Sequence, residues 1–206
     1  MRGSGLEDLM VGYFKDIFTS RMGNMEPTLE HVTACVTEEM NQKLVESYSM
    51  EEVKAALFSM KPDKAPGIDG FNPVFFQSHW EIVGPEVSRV CIQYLQEGSF
   101  PTSWNETVLV LIPKKQTPQV MSDLRPIALC NVIYKIMSKM IANRLIVMLD
   151  TIVSPTQNAF IPGRSIQDNN IIAFEIMNYF NNKRRCKDYF AALKMDISKA
   201  YDRMEW

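Results

Sequence analysis

Residues 107–129 read TVLVLIPKKQTPQVMSDLRPIAL, and the fold depends on how this stretch is read. Thr107 to Ile112 is a short apolar run rich in β-branched residues, which predicts a buried strand. Pro113 to Asp123 is turn-like, and Leu124 to Leu129 has the length and composition of a second strand. The two runs predict a β-hairpin with a long basic tip carrying Lys114 and Lys115.

Outward from the hairpin the period changes from two to that of a helix. On the C-terminal side Asn131 is placed to cap a helix whose buried face holds Val132, Ile136, Met140 and Leu145, down to Leu149. A loop with Ser154-Pro155 and Pro162-Gly163 precedes a helix from about Ile166 to Phe180, and Tyr189 to Met195 predicts a strand ending at Asp196. On the N-terminal side Gly84-Pro85 predicts a helix start with proline at the first position, running to a stop at Gly98. A helix over Pro73 to Trp80 precedes it. Lys61 to Gly70, with two prolines, two glycines and two aspartates, is a constrained loop in which Asp69 shapes a turn. Ser49-x-x-Glu52 is a capping box for a helix with Val53, Ala56, Leu57 and Met60 on one face, ended by Pro62. Thr37 caps a shorter helix, and Leu6 to Phe18 is amphipathic at helical spacing. The pattern is α+β and mostly helical.

Composition bounds the function. The chain has 206 residues, 46% apolar and 22% charged, as ordinary globular proteins do. The longest apolar runs, such as Val108 to Ile112, are far shorter than a membrane span, and no signal-like segment opens the chain, so an intracellular protein without membrane contact is expected. Cys35, Cys91, Cys130 and Cys186 lie far apart, and His31 and His79 are the only histidines, which argues against zinc. The net charge of -2 is unusual for a nucleic-acid enzyme, but charge is segregated. Acids crowd the N-terminal third, while Lys114-Lys115 and residues 183–187 are basic.

The segment Ala192-Leu193-Lys194-Met195-Asp196-Ile197-Ser198-Lys199-Ala200-Tyr201-Asp202 sets a carboxylate where an apolar strand meets a turn. Such an Asp is most often a turn residue. Polymerases need one there, because two divalent cations must be held close together on rigid strand ends.

The order of segments decides between these readings. Lys-Ala-Pro-Gly-Ile-Asp-Gly at 64–70 is followed by Leu111-Ile112-Pro113-Lys114-Lys115 and Leu124-Arg125-Pro126-Ile127-Ala128-Leu129. Val132 to Ile136, Ala142 to Leu145, Gln157 to Arg164 and the Asp196 segment come next. This series resembles the reverse transcriptase of non-LTR retrotransposons of the long interspersed element type, particularly plant-like members, from about Met60 to Trp206, with a looser echo in the N-terminal helix.

The resemblance implies an RNA-directed DNA polymerase, a nucleotidyltransferase working by a two-metal mechanism with Mg2+. It implies a partial right-hand polymerase: a helical extension over 1–60, a fingers region over 61–188 and the start of the palm over 189–206. It makes Asp196 the catalytic metal-binding aspartate, with the Ile197 carbonyl as a further ligand. Tyr201 falls at the steric-gate position, and the amides of Ser198, Lys199, Ala200 and Tyr201 suit phosphate oxygens. Lys114 and Arg125 become the residues that close over the incoming triphosphate. Gln157, Phe160 and Arg164 fall in the segment near template RNA. Arg144 and Asn143 are read as structural. RNA template, DNA primer and deoxynucleoside triphosphates are the implied partners, and the nucleus the implied location.

The sequence departs from the family in one respect. No adjacent Asp-Asp pair occurs in it, although the family carries such a pair on a β-turn. The chain is therefore expected to be truncated before that turn and the thumb, and to be inactive as a polymerase alone. The alternative reading is a non-catalytic RNA-binding remnant. A helical interaction protein is a third, separable from the second by salt-dependent RNA binding.

Overall fold

The computed structural model describes residues 4–20, 23, 26–183 and 191–195. The hairpin forms in the expected place. Strands β1 (Val108–Pro113) and β2 (Leu124–Leu129) pair antiparallel, with Val108 opposite Leu129 and Pro113 opposite Leu124. Pro126 is tolerated because each strand of a two-stranded ribbon has a free edge.

Burial of the ribbon differs from expectation. Val108, Leu109, Val110 and Ile112 are 40–48% exposed. β-branched residues favour extended backbone, but burial requires a second layer. Among the described residues none buries either face of the ribbon.

The helices in chain order are α1 (Ser4–Phe18), α2 (Glu26–Leu29), α3 (Glu38–Val45), α4 (Met50–Phe58), α5 (Pro73–Ser78), α6 (Trp80–Glu97) and α7 (Thr102–Asn105). After the ribbon come α8 (Val132–Ile146), α9 (Leu149–Ile152) and α10 (Ile166–Asn182). The core lies among α4, α5, α6 and α8. Val53, Ala56, Leu57, Phe76, Trp80, Cys91, Val132, Ile136 and Met140 meet there. Burial pushes the Cys91 thiol up to about 12, so it serves as a packing group.

The caps at Thr37 and Ser49 appear as read, whereas the Asn131 side chain makes no capping hydrogen bond to its helix. The Ser49 amide donates to Glu52 Oε2 at 2.9 Å, and the Glu52 amide donates to Ser49 Oγ at 3.2 Å. Thr37 Oγ1 accepts from the Met40 amide at 3.2 Å. Three boundaries are corrected. Helix α6 begins at Trp80 and carries Pro85 inside it. Pro85 lies on the exposed side, so the carbonyl it leaves unbonded meets water, while Gly84 lets the Trp80 ring fold flat against the helix. A Cβ on Gly84 would come within 2.7 Å of that ring. Helix α8 stops at Ile146, and Leu145 is exposed. Residues 191–195 form no strand, and Leu193 and Met195 are more than 80% exposed. No neighbouring strand among the described residues offers them a ladder.

Arg144 is structural, as read. Its guanidinium donates to both oxygens of Glu52 at 2.8 and 3.0 Å, and to the carbonyls of Leu44, Glu46 and Ser47. It stacks on Tyr48 at 3.7 Å from the ring centre. One side chain of α8 thus ties down the α3–α4 connection. The Arg144 hydrogen bonds hold the Glu52 carboxyl below its ordinary range.

Candidate nucleotide and template site

The ribbon tip is organised by Asp123. The Lys114 amide donates to the Asp123 carbonyl at 2.8 Å, extending the ladder one pair beyond β1. Asp123 Oδ2 accepts from the amides of Gln119 at 2.9 Å and Val120 at 3.2 Å, and from Lys115 Nζ at 2.8 Å. Lys115 first, then the Gln119 and Val120 amides, draw the Asp123 carboxyl down to about 2. Lys115 is therefore neutralised within the turn. Asp123 itself was missed in the sequence, where an Asp before a strand is unremarkable.

Lys114 and Arg125 share a face. Arg125 stands opposite Ile112, and Lys114 follows Ile112 by two, so alternation puts all three on one side of the ribbon. Lys114 Nζ donates to the Ser122 carbonyl at 3.0 Å, which leaves two of its three hydrogens. Arg125 is exposed, without a hydrogen-bond or ionic partner among the described residues. The geometry presents a planar fork and a point charge side by side, a pairing suited to phosphate oxygens.

The second expected cluster lies in the loop between α9 and α10. Phe160 is 94% exposed and adopts φ 65, a left-handed conformation rare for a residue with a Cβ. Such strain persists only where the surroundings enforce it. Arg164 braces the loop that carries it. Its guanidinium donates to Asp150 Oδ1 at 2.7 and 3.1 Å and to the carbonyls of Asp150, Val153, Ser154 and Gln157. With its donors so used and its side chain 14% exposed, Arg164 shapes the loop and offers no free fork to a strand. Gln157 Nε2 donates to the Ala159 carbonyl at 3.2 Å, and Asn158 anchors the loop on α10 through Asn169 at 2.9 Å.

Asp196, Ile197, Ser198, Lys199, Ala200 and Tyr201 lie outside the described residues. Among the described residues no group of three or more His, Cys, Asp or Glu is placed to hold a metal ion, and no helix is long and apolar enough to cross a membrane.

Residues 112–206 match the family model described as reverse transcriptase (RNA-dependent DNA polymerase). The matched stretch takes in the ribbon tip, the Arg164 loop and the Asp196 segment. The transposon TX1 uncharacterized 149 kDa protein of Xenopus laevis is 34% identical over 170 residues, 82% of this chain. This chain carries reverse transcriptase sequence of the non-LTR retrotransposon type. The Pol polyprotein from type-1 retrotransposable element R1 of Bradysia coprophila is 29% identical over 76% of the chain. The RNA-directed DNA polymerase from mobile element jockey of Drosophila melanogaster is 25% identical over 76% of it. The chain spans 13%, 15% and 17% of these three relatives. The TX1 alignment is longer than the stretch from Met60 to Trp206, so the likeness to that protein continues into residues before Met60.

Proposed function

We propose that the ribbon tip grips the triphosphate of an incoming deoxynucleotide, and that the chain is the nucleotide-handling part of a template-directed RNA-dependent DNA polymerase. One observation carries the reading: Lys114 and Arg125 stand on the same face of β1 and β2 with hydrogens to offer, while Lys115 is neutralised by Asp123. In right-hand polymerase terms the ribbon belongs to the fingers, and residues from 189 onward begin the palm. Asp196 and the Ile197 carbonyl are hard oxygen ligands that suit a divalent cation, magnesium above others, which would neutralise phosphate charge and activate the primer hydroxyl. The amides of Ser198, Lys199 and Ala200 cradle phosphate, and the Tyr201 ring crowds the sugar.

Phe160 and Gln157 face the RNA template, with Arg164 as the residue that positions them. The plant-like subtype and the nuclear location belong to the same proposal, supported by the order of motifs alone. The chain spans so little of its relatives that polymerase activity is assigned to a longer protein and inactivity to this chain alone.

The test is binding of a fluorescent deoxyadenosine triphosphate analogue to the purified chain in magnesium. Lys114→Ala with Arg125→Ala weakens binding at least tenfold, because each removes a charge-assisted hydrogen bond. Equal binding by the wild type and the double variant defeats the assignment. The second reading, an RNA-binding relic, is favoured by the solvent-facing Phe160 ring, which can stack on a base without any catalysis. Phe160→Ala lowering RNA affinity while triphosphate binding is absent would select that reading.

A further inference from the structure

Between the 61–67 loop and α8 lies an open depression of about 340 Å³, walled by Met60, Lys64, Cys130, Tyr134, Lys135 and Lys139. None of its lining residues is acidic. Lys135 and Lys139 are one turn apart on α8, half-buried, and flank the face on which Ile136 and Met140 are buried in the core. Like charges at that spacing repel. Lys135 Nζ donates to the Ala65 carbonyl at 3.0 Å and thereby fastens the loop that brings Lys64 to the rim. Gly67 permits the same approach, because a Cβ there would sit 2.2 Å from Asn131 Oδ1. Lys64 and Lys139 have no ionic partner among the described residues.

We infer that this depression is a second, separate polynucleotide-binding site, in which Lys64, Lys135 and Lys139 hold adjoining backbone phosphates while the Tyr134 and Met60 surface takes the intervening base or sugar. The inference rests on the reading that the chain handles nucleic acid. A basic rim over an apolar floor matches a ligand that is anionic at one end and flat and apolar at the other. Cys130 directly follows β2, whose far end carries Arg125. Five residues of extended chain separate the two, roughly 16 Å at strand rise. The depression therefore sits at the base of the ribbon, away from the triphosphate grip at its tip. A single strand of RNA and one of DNA share this chemistry.

The experiment measures anisotropy of labelled single-stranded 20-mers, one RNA and one DNA of the same sequence, on the purified chain from 0.05 to 1 M salt. Each phosphate contact on a single strand contributes about 0.7 to the slope of log affinity against log salt. Lys64→Gln with Lys139→Gln is expected to lower that slope by about 1.4. At 0.1 M salt the same change weakens binding about 25-fold relative to 1 M salt. Binding of the triphosphate analogue stays unchanged. Bound strand also slows maleimide alkylation of Cys130, read from its peptide by mass spectrometry. A loss with both strands marks backbone recognition, and a loss confined to RNA marks a 2′-hydroxyl contact within the same site. Unchanged slope and affinity in the double variant overturn the inference, whatever the triphosphate assay shows. So does an equal fall in triphosphate binding, which would mean that the substitutions act through the fold. A wild-type chain that binds neither strand overturns it as well, and leaves the ribbon-tip reading to its own assay.

Discussion

Replacing Arg144 by methionine keeps the aliphatic stem and removes the guanidinium that joins α8 to the α3–α4 connection. Removing one partner of a buried, hydrogen-bonded ion pair costs about 3–5 kcal/mol. Arg144 is 11% exposed but Glu52 is 33% exposed, and solvent screening at Glu52 reduces that to about 2 kcal/mol. The bonds to the Leu44, Glu46 and Ser47 carbonyls and the stack on Tyr48 add roughly 1 kcal/mol, since those carbonyls can turn to water. The expected loss is about 3 kcal/mol. In a chain of this size that lowers the melting temperature by about 6–12 °C. Arg144→Lys keeps the charge but cannot bridge both Glu52 oxygens, so about half the loss is expected. Urea unfolding followed by circular dichroism measures both, and Glu52→Gln closes a double-mutant cycle with an expected coupling of at least about 1 kcal/mol. Hydrogen exchange should quicken in α3 before α6. A loss under about 0.5 kcal/mol for the methionine variant, or a coupling near zero, would refute the clamp.

Gly67→Ala forces a Cβ within 2.7 Å of the Asn131 backbone, so the 61–67 loop must lift off α8 at a cost of about 1–3 kcal/mol, measurable by the same unfolding curves. The pH dependence of the ribbon tip has a definite sign. The Asp123 carboxyl is lowered to about 2 from 3.8, so its contribution is complete above about pH 4 and disappears as pH falls through 2. Amide exchange at Gln119 and Val120 should stay slow at pH 3 in the wild type and be fast at every pH in Asp123→Ala. Arg164→Met should release Phe160 from its left-handed conformation, seen as changed exchange across 154–164, with the core helices unaffected.

Much of this arrangement was legible in the sequence where the cause is local. The hairpin follows from two apolar runs and the turn between them, and Ser49 and Glu52 announce their helix because the capping box is a contact between residues three apart. Asp69 also acts locally, its Oδ1 accepting from the Phe71 amide at 3.1 Å. Burial of the ribbon was not legible, because alternation specifies a strand but not a layer to cover it. Asn131 shows the same limit. It stands at the start of α8, yet its side chain accepts from the Asp69 amide at 3.5 Å instead of capping the helix. The carbonyl cages around Arg144 and Arg164 were the least legible of all. Backbone carbonyls carry no residue signature, so a caged arginine and a free one look alike in sequence.

That limit explains why net charge misleads here. Among the described residues, Arg144 is neutralised by Glu52, Arg89 by Glu86, Lys115 by Asp123 and Arg164 by Asp150. These pairs contribute nothing to the sum and serve structure. Among the cations left without an acid, Lys114 and Arg125 stand at the ribbon's tip and Lys64 and Lys139 at its base. Because exposed charges act over about a Debye length, roughly 8 Å in physiological salt, a phosphate near either place feels those cations more strongly than charges further off on the molecule. A net charge of -2 is therefore compatible with tight, salt-sensitive anion binding. Which cations carry that binding is decided by the internal partners that the fold supplies to the others.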